Sequence, residues 1–526
     1  MLAQGWQQAP AVPTDMRDTL ATISKDSKLF QIYQLYRENR DGLQKSAERI
    51  SLAEAIQRGL ATSPILAATV SEIQASEWNS IAVGREWVPS LTIRTTDPGV
   101  LGYSTRTTSY QYKKDASAPV DNTLYSHGFT TNPYANLSWS IFDPSRVVRQ
   151  SALSSVSNSL RNRLSFSTRE LILAIQSAYT NLQDALEREK DTIELFNQSV
   201  HVYIGAHKAR RPAGEVSRLE AQSVSLLISR VNAHKQSIQA ADVLARLINL
   251  KPGQLAMPSE KPELLPSWTM SRMDSIQRAL RLREELQANA WDVKALESDA
   301  RAIRLRVLPA LALSSQIKRV GGNVIAGTLT GGQSGTLTRT SGYESFLGLT
   351  FDWKVFDGGI RNAEANAKDA KARQSMANGV QTRLEIGQQV EDAYATYVAS
   401  KILVDAAKAD VSASRQSLEG ALKDYASGRH DDAGTTVVQA LSKLQSALSN
   451  YRDLVTEQNL AIHQLYRYTA SWPERTEQLV TRQYQRWLPS ATLPLSPRQK
   501  IRVPDAPSAL QIDTVPSSLS QPGARP

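Results

Sequence analysis

The sequence predicts a mainly helical protein with short β-strands, built from one large unit that occurs twice. Apolar residues recur at heptad spacing over long stretches, which is typical of helices that pack side by side. Two short segments alternate apolar and polar residues and then change abruptly to helical spacing. The chain also matches itself at an offset of about 220 residues, a period too long for a short solenoid repeat.

The internal duplication is visible in an ordered series of matching segments. SLAEAIQRGL at 51–60 corresponds to SRMDSIQRAL at 271–280, and WVPSLTI at 87–93 corresponds to VLPALAL at 307–313. SIFDPSRV and KVFDGGIR follow in the same order. We therefore expect each unit to contain a helix of about 40 residues, two strands and a pair of long helices.

These correspondences set the predicted domain boundaries. The N-terminal extension has no counterpart in the second unit, and Leu29, Ile32, Tyr33 and Tyr36 predict one short amphipathic helix there. The C-terminal segment is rich in Pro and Ser and is expected to be disordered. The predicted regions are an N-terminal extension at 1–48, a first repeat at 49–270, a second repeat at 271–472 and a C-terminal tail at 473–526.

Each strand-to-helix change is marked by an aspartate. In LSWSIFDPSRVVRQ, at 137–150, Asp143 is suited to the N-cap and Pro144 to the first helical position. Asp357 follows the alternating residues of LGLTFDWKVFDGGIR, at 347–361. We expect both carboxylates to cap helices rather than to form a catalytic pair.

The long helices carry the strongest periodicity. From 437 to 465 apolar residues recur at alternating spacings of four and three, with one polar interruption at Gln458. A similar seam runs from Leu164 to Val200 in the first unit. A helix from Pro144 to about Tyr203 would be roughly 90 Å long, so we expect such helices to pack together in an elongated bundle or tube.

Four strands per chain are predicted, near 89–96, 134–142, 309–318 and 345–356. The Gly/Ser/Thr-rich connections at 97–132 and 319–342 are expected to be loops between them. Small barrels need about eight strands, so four cannot close one alone. The apolar residues of the strands share one parity and their neighbours are polar, which is typical of a membrane barrel that lines water. An ordinary sheet packed on the helices is the alternative interpretation.

The composition excludes several classes of protein. The 61 basic residues are interspersed with 51 acidic ones, so no basic stripe indicates nucleic-acid binding. Because the chain has no cysteine, disulfides, thiol catalysis and cysteine-ligated zinc are excluded. The six histidines show no metal-ligand spacing, and no serine lies in a GxSxG motif. We therefore predict no enzyme activity, no metal and no cofactor.

The ordered set of motifs resembles the outer-membrane efflux protein family of TolC type, over roughly residues 49–470. The motifs are a helix, a strand that starts at Pro, a Phe-Asp junction, a long helix and a Tyr-x-x-Gly turn. The resemblance implies a homotrimer in which four strands per chain form one 12-stranded β-barrel in the outer membrane. The barrel continues into a coiled-coil-like helical tunnel across the periplasm.

The resemblance also implies a function and partners. The channel would give passive exit for efflux or type I secretion, driven by an inner-membrane transporter of the ABC or RND type through a periplasmic adaptor. Outer-membrane lipid would contact the aromatic side chains Trp139, Phe351 and Trp353. The alternative, from another class, is a soluble coiled-coil scaffold or interaction protein, which should wash off membranes in carbonate.

The second helix turn supplies a candidate periplasmic gate. Tyr425-Ala-Ser-Gly428 matches the start of the family's turn, but the family's aspartates fall on Thr436 and Gln439. We hypothesise that a threefold ring of Asp431 or Asp432 replaces them; the alternative is a solvated loop. The candidate gate residues are Tyr425, Gly428, Arg429, His430, Asp431 and Asp432.

The first helix turn, within YIGAHKARRPAGEVSRLEAQ, differs in charge. Ala206 replaces the expected glycine, and three basic residues are inserted. We expect this basic turn to contact the hairpins of an adaptor. The candidate contact residues are Tyr203, Lys208, Arg210, Arg211 and Glu215.

Overall fold

The structure, a computed structural model, describes residues 28–39, 46–111, 120–328, 334–427 and 433–487. Helices dominate these residues, which confirms the predicted mainly helical class. The elements up to the end of the first repeat are α1 Lys28–Asn39, β1 Ser46–Ile50, α2 Leu52–Thr62, α3 Pro64–Arg85, β2 Ser90–Gln111, β3 Val120–Phe142, α4 Pro144–Lys208 and α5 Ala213–Leu247. Those that follow are β4 Gln254–Pro258, α6 Arg272–Leu282, α7 Glu284–Leu305, β5 Ala310–Thr328, β6 Ser334–Asp352, α8 Ile360–Ser427, α9 Ala433–Tyr468 and α10 Glu474–Trp487.

The duplication extends to the lengths of the helices. Helices α2, α3, α4 and α5 have 11, 22, 65 and 35 residues, and α6, α7, α8 and α9 have 11, 22, 68 and 36. Serine caps the first helix of each set, since the Ser51 hydroxyl accepts from the Glu54 N–H and the Ser271 hydroxyl from the Asp274 N–H.

The expected helix of about 40 residues is wrong in both repeats, because two helices replace it. Ser63 and Arg283 adopt extended backbone angles at equivalent positions, although each still donates its N–H to the preceding helix. In the first repeat Pro64 follows the break, and a proline disfavours helical geometry in the residue before it. The second repeat keeps the break with Glu284 in that place.

The chain divides into two compact units. The helical unit comprises the described residues of 1–73, 159–290 and 377–526, and the sheet unit comprises 74–158 and 291–376. Each is considered by itself below.

The core of the helical unit follows the predicted seams. Leu164, Ile175 and Leu182 on α4 are completely buried, as are Val437 and Leu441 on α9. The polar interruption at Gln458 is buried as well. The short strands β1 and β4 pair in parallel. Leu255 and Ala256 on β4 belong to the same buried apolar cluster as Leu164, Ile175 and Leu182.

Helix α10 corrects the expectation of a disordered tail from residue 473. Val480 and Tyr484 on this helix are buried in the same cluster as Ile175 and Leu182. Their spacing of four residues places both on one face of an amphipathic helix. Residues 488–526 of the predicted tail lie outside the described residues.

The sheet unit contains one four-stranded antiparallel sheet with the order β2-β3-β5-β6. Its strands have 22, 23, 19 and 19 residues and are much longer than expected. The predicted loops at 97–132 and 319–342 are therefore wrong over most of their length, because the strands continue through them. Gly lowers the local strand signal there, and cross-strand pairing overrides it. The strand expected to end near 356 ends at Asp352.

The register places apolar residues in rows on one face of the sheet. Trp139 on β3 pairs with Leu313 on β5, which pairs with Leu349 on β6. On the opposite face, Lys318 and Glu344 form an ion pair at 3.6 Å. The register shifts between Ser140 and Phe142, so that Phe142 rather than Ile141 pairs with Leu311.

The apolar face is largely uncovered in the single chain. Leu91, Ile93, Leu347, Leu349 and Phe351 are all exposed, Leu349 by 65%. Among the described strands, β2 and β6 each have one neighbour, so each leaves one edge unpaired. Within the described part of the chain, no helix is both long enough and apolar enough to cross a membrane.

Candidate functional site

The first hairpin turn of the helical unit joins α4 to α5 through residues 209–212. Arg210 has a φ of 51°, the left-handed conformation that glycine favours at helix ends. The Arg211 N–H donates to the Ala206 carbonyl at 3.1 Å, which satisfies one of the last carbonyls of α4. The turn is therefore tight and held by its own backbone.

This turn contacts the second hairpin through Arg211. Its Nη2 donates to the Tyr425 carbonyl at 3.3 Å, and its guanidinium carbon lies 5.3 Å from the centre of the Tyr425 ring. The contact joins the first hairpin turn to the end of α8, and we call these residues, together with the start of α9, the tip.

Glu215 and Gly434 form the second contact of the tip. A Cβ placed on Gly434 would lie 2.7 Å from the Glu215 Cγ and 2.8 Å from its Oε1, closer than real Cβ atoms approach. A side chain at Gly434 would therefore require the buried Glu215 side chain to shift. Burial and then the charge of Glu215 raise the pKa of Tyr425 to about 12, which keeps the phenol neutral.

The tip lies on an apolar base. Tyr203, Leu219, Val437 and Leu441 belong to one buried cluster that includes residues of all four hairpin helices. Helix α1 covers part of the same cluster with Leu29, which is completely buried. The tip is thus fixed on a packed core.

The structure separates the predicted contact residues of the first turn into two groups. Lys208 and Arg210 are exposed, whereas Tyr203 and Glu215 are buried within the chain. The contact of these four residues and of Arg211 with an adaptor stays a prediction.

Of the predicted gate residues, the structure describes only Tyr425, which is half-buried. Gly428, Arg429, His430, Asp431 and Asp432 lie outside the described residues. No sequence pattern indicated Gly434. Its role depends on the close approach of Glu215, which is distant in sequence.

The first strand-to-helix junction lies in the sheet unit at Asp143. Its Oδ1 accepts from the Ser145 N–H at 2.9 Å and from the Ser145 hydroxyl at 2.7 Å. Buried Arg146 lies over the Trp87 ring at 4.5 Å and donates to the Ser140 hydroxyl at 2.7 Å. Arginine thus ties the helix start to the end of β3.

The second junction uses Asp357 differently. Its two oxygens accept from the Gly359 N–H at 3.0 Å and the Arg361 N–H at 3.2 Å. The hydrogen bond from Arg361 lowers the pKa of this carboxyl. Arg361 also donates to the Arg306 and Lys354 carbonyls at 2.6 and 2.7 Å.

Both junctions hold a tryptophan in the same way. The Trp139 Nε1 donates to the Trp87 carbonyl at 2.9 Å, and the Trp353 Nε1 donates to the Val307 carbonyl at 2.9 Å. Trp353 also meets Phe351 edge to face. All three predicted lipid-facing aromatics are partly exposed, and their contact with lipid stays a prediction.

Metal ligation is not indicated within the described ranges. There, no group of three or more His, Asp and Glu side chains is arranged to hold a metal ion.

Residues 275–471 match the model of a family described as outer membrane efflux protein. The match confirms the resemblance predicted from the sequence and the outer-membrane localisation. No curated protein matched the chain.

Solved channels share the fold. The Campylobacter jejuni CmeC outer membrane channel is 14% identical, with a TM-score of 0.61 over 82% of this chain and 89% of that one. The outer membrane protein VceC from Vibrio cholerae is 14% identical, with a TM-score of 0.60 over 80% and 96%. The Neisseria gonorrhoeae MtrE outer membrane channel, in its open state, is 15% identical, with a TM-score of 0.59 over 80% and 89%.

Proposed function

We propose that the chain is one subunit of a trimeric outer-membrane channel, and the match of residues 275–471 to the outer membrane efflux protein family supports this. The single observation that supports this most directly is the sheet, with its exposed apolar face and two unpaired edges among the described strands. Lipid would cover the face, and the strands of two further copies would pair the edges, giving a closed 12-stranded barrel.

The channel would be passive. A periplasmic adaptor and an inner-membrane transporter, of the ABC or RND type, would deliver cargo for efflux or type I secretion and supply the energy. The described residues contribute a conduit and no reaction step. The predicted repeats at 49–270 and 271–472 would each contribute two strands to the barrel and one helical hairpin to the tunnel.

Native mass spectrometry tests the assembly on the chain extracted by mild detergent from an outer-membrane fraction. Three copies that remain together are expected. A monomer or dimer that carbonate removes from the membrane would contradict the proposal and favour the soluble scaffold.

The tip would close the periplasmic end of the channel. Arg211 joins the two hairpins by its bond to the Tyr425 carbonyl, so its loss should let the hairpins separate. We expect Arg211→Ala to raise single-channel conductance in a planar bilayer severalfold. The matched control is Lys208→Ala, which removes an exposed cation of the same turn and should leave conductance unchanged.

A ring of Asp431 or Asp432 at the aperture is the finer proposal for the gate. Asparagine at both positions should reduce selectivity for cations while leaving the assembly intact. If conductance and ion selectivity both stay unchanged, the ring is ruled out, although a trimeric channel would remain.

The exposed cations Lys208 and Arg210 would meet the adaptor. Replacing both with glutamate should abolish crosslinking to the adaptor hairpins without changing the trimer. Unchanged crosslinking would exclude this surface.

A further inference from the structure

The two hairpins of the sheet unit have the same register near their helical ends. Leu91 pairs with Leu137 in the first hairpin, and Leu311 pairs with Phe351 in the second. The first strands of the hairpins, β2 and β5, therefore match at an offset of 220 residues. The second strands, β3 and β6, match at an offset of 214.

The tryptophans at the two junctions follow the same offsets. Trp139 and Trp353 are related by the offset of 214, and the carbonyl groups that accept from them belong to Trp87 and Val307, which are related by 220. The two hairpins are thus equivalent in their hydrogen bonds as well as in their register.

A further pairing joins the two hairpins within the chain. Strand β3 pairs with β5, and Ser138 lies opposite Ser314. The equivalent edges on the outside of the described sheet are those of β6 and β2, which have no neighbour in the single chain. The offset of 214 gives Asp352 on β6 the place of Ser138. The offset of 220 gives Arg94 on β2 the place of Ser314.

Both residues of this equivalent pair lie on the polar face of the sheet. Asp352 is separated by an even number of positions along β6 from Glu344, which forms the ion pair with Lys318. Arg94 shares that row, because Tyr134 pairs with both Arg94 and Lys318. Asp352 and Arg94 are exposed in the single chain. Opposite charges directly across two strands attract, whereas the joint within the chain has two neutral serines at this place.

The end of β6 also indicates a missing strand. Strand β3 pairs on both sides at Ser138, and from there to Phe142 only β5 pairs with it. The equivalent stretch of β6 is 353–356, by the offset of 214. Strand β6 ends at Asp352, where its pairing with β5 ends. Residues 353–356 therefore lack the strand that β5 supplies to β3.

We infer that Asp352 of one copy forms an ion pair with Arg94 of the next copy, and that this pair fixes the register in which the sheets join. Strand β6 then extends through 353–356, because β2 of the next copy pairs with these residues. A shift of one residue would put the two charges on opposite faces, and a shift of two would separate them. The inference rests on the proposed trimer, since a second copy must supply the strand.

Paired cysteines test the register, because the chain has no cysteine of its own. With Arg94→Cys and Asp352→Cys in one chain, copper phenanthroline should link three copies of the detergent-extracted assembly on a non-reducing denaturing gel. The matched control is Ser138→Cys with Ser314→Cys, which should lose both thiols to a disulfide within one chain. Thr92→Cys with Asp352→Cys, displaced by two residues on the same face, should link severalfold less.

The outcomes separate the register from the assembly. Stronger linking through Thr92 overturns the register. So does an absence of linking through Arg94 when native mass spectrometry shows three copies and the serine control forms its disulfide. A single copy in native mass spectrometry would overturn the proposed channel and this inference together.

Charge reversal tests the ion pair separately. Arg94→Glu would place two carboxylates opposite each other, so we expect the fraction of trimer that survives mild heating in detergent to fall about threefold. Adding Asp352→Arg exchanges the two charges and should return this fraction to that of the parent. Equal survival of all three proteins, or no recovery in the double variant, would overturn the ion pair.

Discussion

The helical unit and the sheet unit differ in how far one chain completes them. The helical unit buries its apolar seams against its own helices, so that Leu182 has no exposed surface. The sheet unit leaves whole apolar rows uncovered, with Leu349 as an example. Both follow simple periodicity, the heptad in one and strict alternation in the other.

Periodicity therefore identifies an apolar face but does not indicate what covers it. A heptad seam meets another seam of the same chain, and burial stabilises both. A single four-stranded sheet has nothing comparable on its apolar face. The proposed lipid and partner strands would cover the apolar face and pair the edges that the single chain leaves open.

Truncating a leucine to alanine should change the free energy of unfolding much more in the helical unit than in the sheet unit. Leu182→Ala leaves a cavity in the packed helical core and should lower the free energy of unfolding by about 4 kcal/mol. Leu349→Ala removes an exposed side chain and should change it by less than about 0.5 kcal/mol in detergent. Urea unfolding of the extracted chain, followed by far-UV circular dichroism, measures both. Equal losses would mean that the sheet face is covered within one chain.

A buried histidine makes the helical core sensitive to acid. Burial lowers the pKa of His463 to about 4, and its Nε2 lies 3.4 Å from the Thr180 hydroxyl. Between about pH 6.5 and 4 the unfolded chain binds the proton and the folded chain does not. The contribution of neutral His463 to the free energy of unfolding, on the order of 3 kcal/mol, is therefore fully present above pH 6.5. It is lost as the pH falls from 6.5 to 4.

His463→Gln should flatten the pH dependence of unfolding between pH 6.5 and 4. His201→Gln, at an exposed position of α4, is the matched control and should keep the slope of the parent. If the two variants show the same slope, His463 is not the group that titrates.

The two faces of β6 should respond differently to charge. Leu349→Arg puts a cation on the apolar face and should cost about 2 kcal/mol when the sheet is in a bilayer. Thr350→Arg, on the adjacent residue, places the same cation on the opposite face and should cost much less. The fraction of each variant that incorporates into vesicles of outer-membrane lipid measures the difference. Similar incorporation of both variants would contradict a lipid-facing row.

The sequence predicted those features that local periodicity determines. The α4 helix from Pro144, the heptad seams and the parity of the strands all depend on residues close together in the chain. The lengths of the strands were not predicted, because Gly-rich connections resemble loops locally and the pairing partners that extend the strands lie far away in sequence. The helix breaks at Ser63 and Arg283 were missed, and only Pro64 gave a local signal.

At the candidate site, sequence found the hairpin turns but not their contacts. The basic turn was visible, yet the contact of Arg211 with Tyr425 spans 214 positions. Gly434 matters because Glu215 approaches it, which no local pattern could indicate. Tyr203 and Glu215 matched a turn motif, and no local pattern indicated that both are buried.

Two glycines, one in each unit, should respond in opposite ways to replacement by alanine. Gly359, at the second junction of the sheet unit, has a φ of 84°, which a side chain disfavours. Gly359→Ala should therefore cost about 1 kcal/mol. Gly387, inside α8 of the helical unit, has open space around its Cα, so Gly387→Ala should stabilise the helix by roughly 0.5–1 kcal/mol. Thermal melts of the two variants should shift in opposite directions. A shift of both in the same direction would mean that the junction does not require its left-handed backbone, and that the Asp357 cap alone sets the start of α8.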